Sequence, residues 1–435
     1  MTDEVSNKND FVRKRALLAW LVWGLAAAYF FSDYLARVSI GVMGRELQIS
    51  FEVSAGALGL LSSFFYYPYI VMQMPVGLMV DRYSIRLLLT SMSFVTALGC
   101  VVFGSATNLW WAGLGRGLIG FSAAFAFVSA LRLAASWFPA ERLGLLAGLT
   151  QALGMWGAAF GEAPVALIMS YLNWRNTMYL IAVLFCLLAV LILFFVQDRP
   201  SSSFKNLKKQ SKPSTSSQPL SVLKSLKMVL LNSQTWLVAL YAGFLFAPSA
   251  VIAELWGPSY LEYGRGLSKH AAAFATGLIF IGWGIGGPIA GWLSDKLGKR
   301  KPVMYGSAIC GALILSLIFY CQSLTTYQLY ALFFLYGFTN IGVVVAYAVA
   351  TEINPKPTVG ASIAFANMGS IFIGAICQPI FGKVIEYGIG HKVVDISTLT
   401  ATDFSIAVSL LPICSVIALV ISFILRETNC TPLEI

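Results

Sequence analysis

Tyr29, Asp33 and Arg37 follow one another at intervals of four residues, a spacing that sets all three on one face of a helix, and they do so inside a long apolar run. An ionisable side chain near the centre of a bilayer costs at least about 2.5–3.5 kcal/mol, so each one in such a run marks a function or a partner. Arg37 keeps its charge and offers a planar fork suited to a carboxylate. One reading has Arg37 meeting an anionic group of a solute while Asp33 changes partner or takes up a proton. The other has the two charges simply neutralising each other. Arg116 lies in a different apolar run with no acid three or four residues away, so its partner must come from another helix or from the solute. Glu162 and Glu254 share this apolar setting. With Asp33 they are the carboxylates that could load and release a proton, and each could equally be a hydrogen-bonded packing residue. Tyr29, Tyr67, Trp256, Asn340 and Asn367 complete the groups that could touch a polar solute, although aromatic residues near the ends of apolar runs also serve as interfacial anchors.

The elements that must position these groups are read from composition and apolar run length. Of 435 residues, 58% are hydrophobic and 11% charged, against roughly 45–50% and roughly 25% in soluble domains. A bilayer-crossing helix needs roughly 20 apolar residues. Such runs fall near 16–42, 55–80, 86–106, 109–136, 143–171, 175–197, 234–261, 271–294, 302–322, 326–351, 359–386 and 404–426. Residues 198–233 between the sixth and seventh are rich in Lys, Ser and Pro, the composition of a solvated linker. The expected organisation is a six-helix bundle over 1–197, a cytoplasmic linker over 198–233 and a second bundle over 234–435.

By this topology 21 of the 29 Lys and Arg residues sit on one side, six on the other and two, Arg37 and Arg116, within spans. The positive-inside rule then expects both termini in the cytoplasm, and explains the basic balance without nucleic acid as a partner. The polar first ten residues and the lack of a small-residue cleavage site lead us to expect the first run to stay as a span. Seven cysteines are scattered singly, so no disulfide framework, metal site or cofactor is expected. No phosphate-cradling glycine loop and no histidine pair point to an enzyme.

The two halves repeat. Gly77-Leu78-Met79-Val80-Asp81-Arg82-Tyr83-Ser84-Ile85-Arg86 has a counterpart in Gly291-Trp292-Leu293-Ser294-Asp295-Lys296-Leu297-Gly298-Lys299-Arg300, and the Pro139 and Gly144 loop has one in Pro355 and Gly360. The offsets are 214 for the acids and 216 for the prolines and glycines. Parallel six-span repeats related by an axis along the membrane normal are the plan of one large transporter class.

These residues resemble the major facilitator superfamily over essentially the whole chain. The second loop motif fits that family at every position, whereas Ser84 and Ile85 depart from it in the first. Arg116-Gly117-Leu118-Ile119-Gly120, Trp137-Phe138-Pro139, Trp174-Arg175 and Gln378-Pro379 with Gly382 also fit. The resemblance implies an all-α membrane protein, with twelve transmembrane helices in two pseudo-symmetric six-helix bundles. It also implies conformational-switch roles for Gly77, Asp81, Arg82, Arg86, Gly291, Asp295, Lys296, Gly298, Lys299 and Arg300, and proton coupling or a bundle-holding role for Arg116. The stretch from Tyr29 to Ser39 is similar to the first span of bacterial organic-solute and anion:cation symporters, while Gly154 to Pro164 partly matches a drug-exporter signature.

The expected function is alternating-access transport of a small organic anion or amino acid by a monomer in a bacterial inner membrane, driven by protons. Alternatives are a proton-driven exporter of a metabolite, siderophore or drug, and a membrane sensor that does not transport.

Overall fold

The computed structural model describes residues 2–139, 142–198, 222–390 and 395–431, with the side chains of 2–15, 74, 78, 81, 222–224 and 357 excepted. Twelve helices among these are long and apolar enough to cross a membrane, from Ala16–Val38 and Ala55–Gln73 at the start to Val359–Ile389 and Ser405–Ile424 at the end. Each expected apolar run coincides with one of them. Short polar residues start the spans where backbone amides would otherwise lack acceptors: Ser84, Asn108, Asn173, Ser268 and Thr325 each accept an amide of the first turn. Most of the expected linker, 199–221, lies outside the described residues, and its last part forms the helix Val222–Leu231.

The repeat seen in the sequence is carried into the helix packing. The halves meet along two seams, the second span against the eleventh and the fifth against the eighth. A six-span shift exchanges one seam for the other. Breaks recur in the same way, for the fourth span is interrupted after Ala123 and the tenth after Thr339.

The seams are tight at one end and part at the other. A Cβ on Gly59 would lie 2.6 Å from the Gln378 carbonyl oxygen, and one on Gly382 2.5 Å from that of Ala55, so second and eleventh spans touch there backbone to backbone. Along one face of the eighth span, Gly277 lies against Ala159 and Glu162 and Gly284 against Met155 and Trp156. A Cβ on Gly291, seven residues further on that face, would meet nothing within 4 Å among the described residues outside its own helix, nor would one on Gly148 or Gly144 opposite it on the fifth span, or on Gly77 or Gly360 on the other seam. The bundles therefore diverge toward the end where the first span starts and the twelfth stops.

Candidate functional site

The polar centre is built where the first span stops. Its helix ends at Val38, leaving carbonyls of the last turn without helical partners, a costly state at membrane depth. Arg116 supplies donors there: Nη1 donates to the Ala36 carbonyl at 3.1 Å, which the Ser39 hydroxyl also reaches at 3.0 Å, and Nη2 to that of Arg37 at 3.0 Å. A cation at a helix C-terminus also suits the helix dipole. All the hydrogen bonds described for Arg116 thus run to the backbone that carries Arg37, and its guanidinium lies 5.1 Å over the Phe65 ring.

Arg37 itself reaches across to the other half, its Nη2 donating to Glu254 Oε1 at 2.8 Å with both side chains sealed from solvent. Tyr34, Phe65, Tyr66 and Phe246 present their rings 5.1–6.0 Å from its guanidinium carbon, within reach of cation–π attraction. Glu254 sits in a π-helical turn, Ile252–Trp256, of the seventh span, an irregularity that re-aims a side chain and often accompanies function. Its second oxygen accepts from the Tyr66 hydroxyl. Gln378 Nε2 donates to Tyr66 Oη at 3.3 Å and to the Ala250 carbonyl at 2.8 Å. One connected set of side chains therefore joins spans one, two, seven and eleven, on both sides of the boundary. Nε of Arg37 and Oδ1 of Asp33 are buried without a hydrogen-bond partner among the described residues.

Tyr66, Tyr69 and Gln73 lie at helical spacing on one face of the second span and lead from Glu254 toward the open end. There Gln73 Oε1 accepts from Asn367 Nδ2 at 3.3 Å, and the Tyr347 hydroxyl donates to Asn367 Oδ1 at 3.0 Å. These groups are half-buried, and they supply donors and acceptors without charge.

The other sequence candidates are placed elsewhere. Tyr29 is enclosed in the first bundle, donating to the Ser122 carbonyl at 3.1 Å beside Thr96. Asn340 is enclosed in the second, its amide spent on the Leu245 carbonyl, Ser249 and Tyr336. Tyr67 is 41% exposed. Trp256 donates to the Gln378 carbonyl at 3.1 Å at the closed end. Glu162 is fully buried at the second seam, where Thr276 Oγ1 donates to its Oε2 at 3.0 Å.

Of the switch residues, Arg300 binds Asp295 at 2.7 Å and Glu352 at 2.6 Å, Lys296 lies 4.9 Å over Trp292, and Gly298 caps the eighth span with a φ of 62°. Lys299 accepts from Ser294 at its carbonyl. Gly77 and Gly291 face open space, and Arg82 ends its helix. The side chain of Asp81 is outside the described residues. Several acids escaped the sequence reading, Glu352 beside Arg300 among them. Glu427 accepts the amides of Arg300 and Lys301 at 2.8 and 3.0 Å, and Asp198 accepts that of Arg86 at 2.8 Å. Both follow the last span of their half, and that repeated position was the available signal.

Two six-span bundles parting at one end around a sealed, charge-bearing centre define a membrane carrier rather than an enzyme. The chain belongs to the Major Facilitator Superfamily, whose model matches residues 22–376 and 258–428. It is 25% identical over 409 residues to the "Uncharacterized transporter YybO" of Bacillus subtilis (strain 168), covering 89% of this chain and 92% of the relative. To the "Probable sulfoacetate transporter SauU" of Cupriavidus necator it is 24% identical, covering 86% and 89%. To the "Probable galactarate/D-glucarate transporter GarP" of Escherichia coli (strain K12) it is 23% identical, covering 92% and 95%. In fold it matches the crystal structure of a bacterial homolog of the human lysosomal transporter Spinster, inward-facing and unoccupied, with a TM-score of 0.74 at 15% identity over 94% of this chain and 95% of that one.

Proposed function

We propose that this chain imports a small organic anion together with protons, by rocking its two bundles about a site centred on Arg37. The observation that carries the reading is the buried Arg37–Glu254 pair, which spans the boundary between bundles. A solute carboxylate or sulfonate approaching along Gln73, Asn367, Tyr347 and Tyr69 competes with Glu254 for the guanidinium. Glu254, displaced but still held by Tyr66, then takes up a proton, because an unpaired carboxylate is costly in that surrounding. Anion and proton thus load together and leave the centre no more charged than before. Asp33, one turn before Arg37, and Glu162 are the further carboxylates assigned to proton traffic, and Arg116 fixes the backbone from which Arg37 projects.

The basic loops support a reading in which the open end faces the cytoplasm of a bacterial inner membrane. Sulfoacetate and galactarate or D-glucarate, named for two relatives, set the anion class to try first. The experiment is uptake into proteoliposomes of sulfoacetate, D-glucarate and neutral hexoses with and without outside acid, for wild type and Arg37→Ala. Uptake of an anion, accelerated by acid and lost in the variant, is expected. Uptake of neutral solutes with the variant still active would overturn the reading.

A second reading, that of a sensor, is favoured by the 26% identity over 401 residues to the "Membrane sensor protein UhpC" of Salmonella typhimurium. It requires binding without counterflow.

A further inference from the structure

Outside the sealed Gly59–Gln378 contact, the closed end carries a layer of charge. The helix Gly44–Phe51 follows the first span and is anchored by buried Gly44, Leu47 and Gln48. It presents two neighbours of opposite sign. Arg45 Nε donates to Asp395 Oδ1 at 3.1 Å, and Lys269 Nζ donates to Glu46 Oε1 at 2.5 Å. Both partners belong to the second half, but to different places in it. Asp395 lies between the eleventh and twelfth spans, fixed by the Ser397 amide at 2.9 Å. Lys269 opens the eighth span directly after its cap, Ser268. Between these pairs and the buried seam, Glu386 Oε1 accepts the Gly56 amide at 3.0 Å. All three contacts cross between bundles, so the closed end cannot open without breaking them. At the other end the ion pairs of Arg300 stay within the second half.

We propose that Arg45, Glu46, Lys269 and Asp395 form a charge-alternated clasp that sets how often this end opens. The order of signs fixes its register, because exchanging the two partners would bring Arg45 to Lys269 and Glu46 to Asp395. The pairs are partly exposed. Each therefore shifts the closed-to-open ratio by only about 1.5- to 5-fold, and salt weakens the effect. A clasp of that strength biases the cycle without freezing it.

The test is electron–electron spin distance measurement in liposomes on a cysteine-free background, with labels at Tyr171→Cys, in the turn after the fifth span, and Tyr327→Cys, in the first turn of the tenth, both exposed at the closed end. Arg45→Asp and Asp395→Arg, made singly, are expected to raise the separated population by at least about 1.5- to 5-fold, and the double exchange to restore it. Glu46→Lys, Lys269→Glu and their double exchange are expected to do the same. In the unmutated clasp, raising salt from about 0.05 to about 1 M, which shrinks the Debye length to roughly 3 Å, is expected to shift the population in the same direction. Single reversals without effect, a double exchange that fails to restore closure, or a distribution indifferent to salt would each overturn the clasp. None of these readouts requires a transported solute, so they stand apart from the uptake experiment.

Discussion

The guanidinium of Arg37 and the carboxylate of Glu254 lie 2.8 Å apart across the boundary between the two halves, both sealed from solvent. Removing one member of a buried pair leaves a charge without compensation and costs about 3–5 kcal/mol, whereas replacing both by apolar groups of similar size is often neutral. Arg37→Met is thus expected to lower thermal stability sharply, and Arg37→Met with Glu254→Leu to regain most of it, as read by unfolding in detergent. Glu254→Gln separates stability from coupling. Its amide still meets Arg37 and Tyr66, so exchange of solute between the two sides is expected to persist while acid-driven accumulation is lost. Accumulation unchanged in Glu254→Gln would remove Glu254 from the proton path.

Bulky side chains at seam glycines should act oppositely at the two ends. A side chain at Gly59 meets Gln378 O and Pro379 Cα at 2.6 Å, while one at Gly148 meets nothing within 4 Å. Gly59→Val is expected to force the closed end apart, and Gly148→Val to leave this conformation intact but hinder closure of the other end. Either outcome is visible in the accessibility of single cysteines on each side to a membrane-impermeant thiol reagent. Equal labelling patterns in the two variants would contradict the seam assignment.

Much of this architecture was legible in the sequence because a membrane span is a matter of length and apolarity, and the repeat is written at nearly constant offset. Partners were harder to read. Spacing set Asp33 and Arg37 on one face, but the arginine found its acid on the seventh span, where a π-helical turn and the Tyr66 hydroxyl aim Glu254 toward it. Periodicity along one helix carries no information about that turn. Nor does it distinguish a polar residue that lines a path, such as Asn367, from one that joins helices within a bundle, such as Asn340 or Tyr29, since interhelical hydrogen bonds draw on the same residue types. Glu427 lies beyond the last apolar run, so only its place after the last span of its half, repeated by Asp198, could have pointed to it.

Glu427 should make stability depend on pH. Partial burial pushes its carboxyl upward, but the amides of Arg300, Lys301, Asn429 and Thr428 outweigh this and hold it below the usual range. A carboxylate depressed in the folded state contributes stability above its ordinary pKa and loses it as pH falls through the folded value. At the N-terminus of the ninth span the charge is worth about 0.3–1 kcal/mol. Glu427→Gln is expected to unfold at slightly lower temperature than wild type at pH 7, with the gap closing below about pH 4. A gap that persists in acid would mean that side-chain shape, not charge, does the holding.

The Glu162–Thr276 hydrogen bond joins the fifth and eighth spans at the second seam, with the other carboxyl oxygen of Glu162 buried and unpartnered among the described residues. Glutamine at 162 keeps an oxygen for the threonine hydroxyl and carries no charge at any pH, so Glu162→Gln should be at least as stable as wild type. Thr276→Val keeps the shape of the seam but takes away the donor, leaving both carboxyl oxygens buried without a partner, a loss of about 1–3 kcal/mol. If Glu162 and Thr276 act through this bond, combining the two substitutions should cost less than the sum of the two single effects, because a neutral amide suffers less from isolation than a carboxyl group that can ionise. The double-mutant cycle by thermal unfolding measures that difference. Strict additivity would show that Glu162 and Thr276 do not act on each other, and would leave the seam to its van der Waals contacts, such as those of Gly277 with Ala159 and Gly284 with Met155.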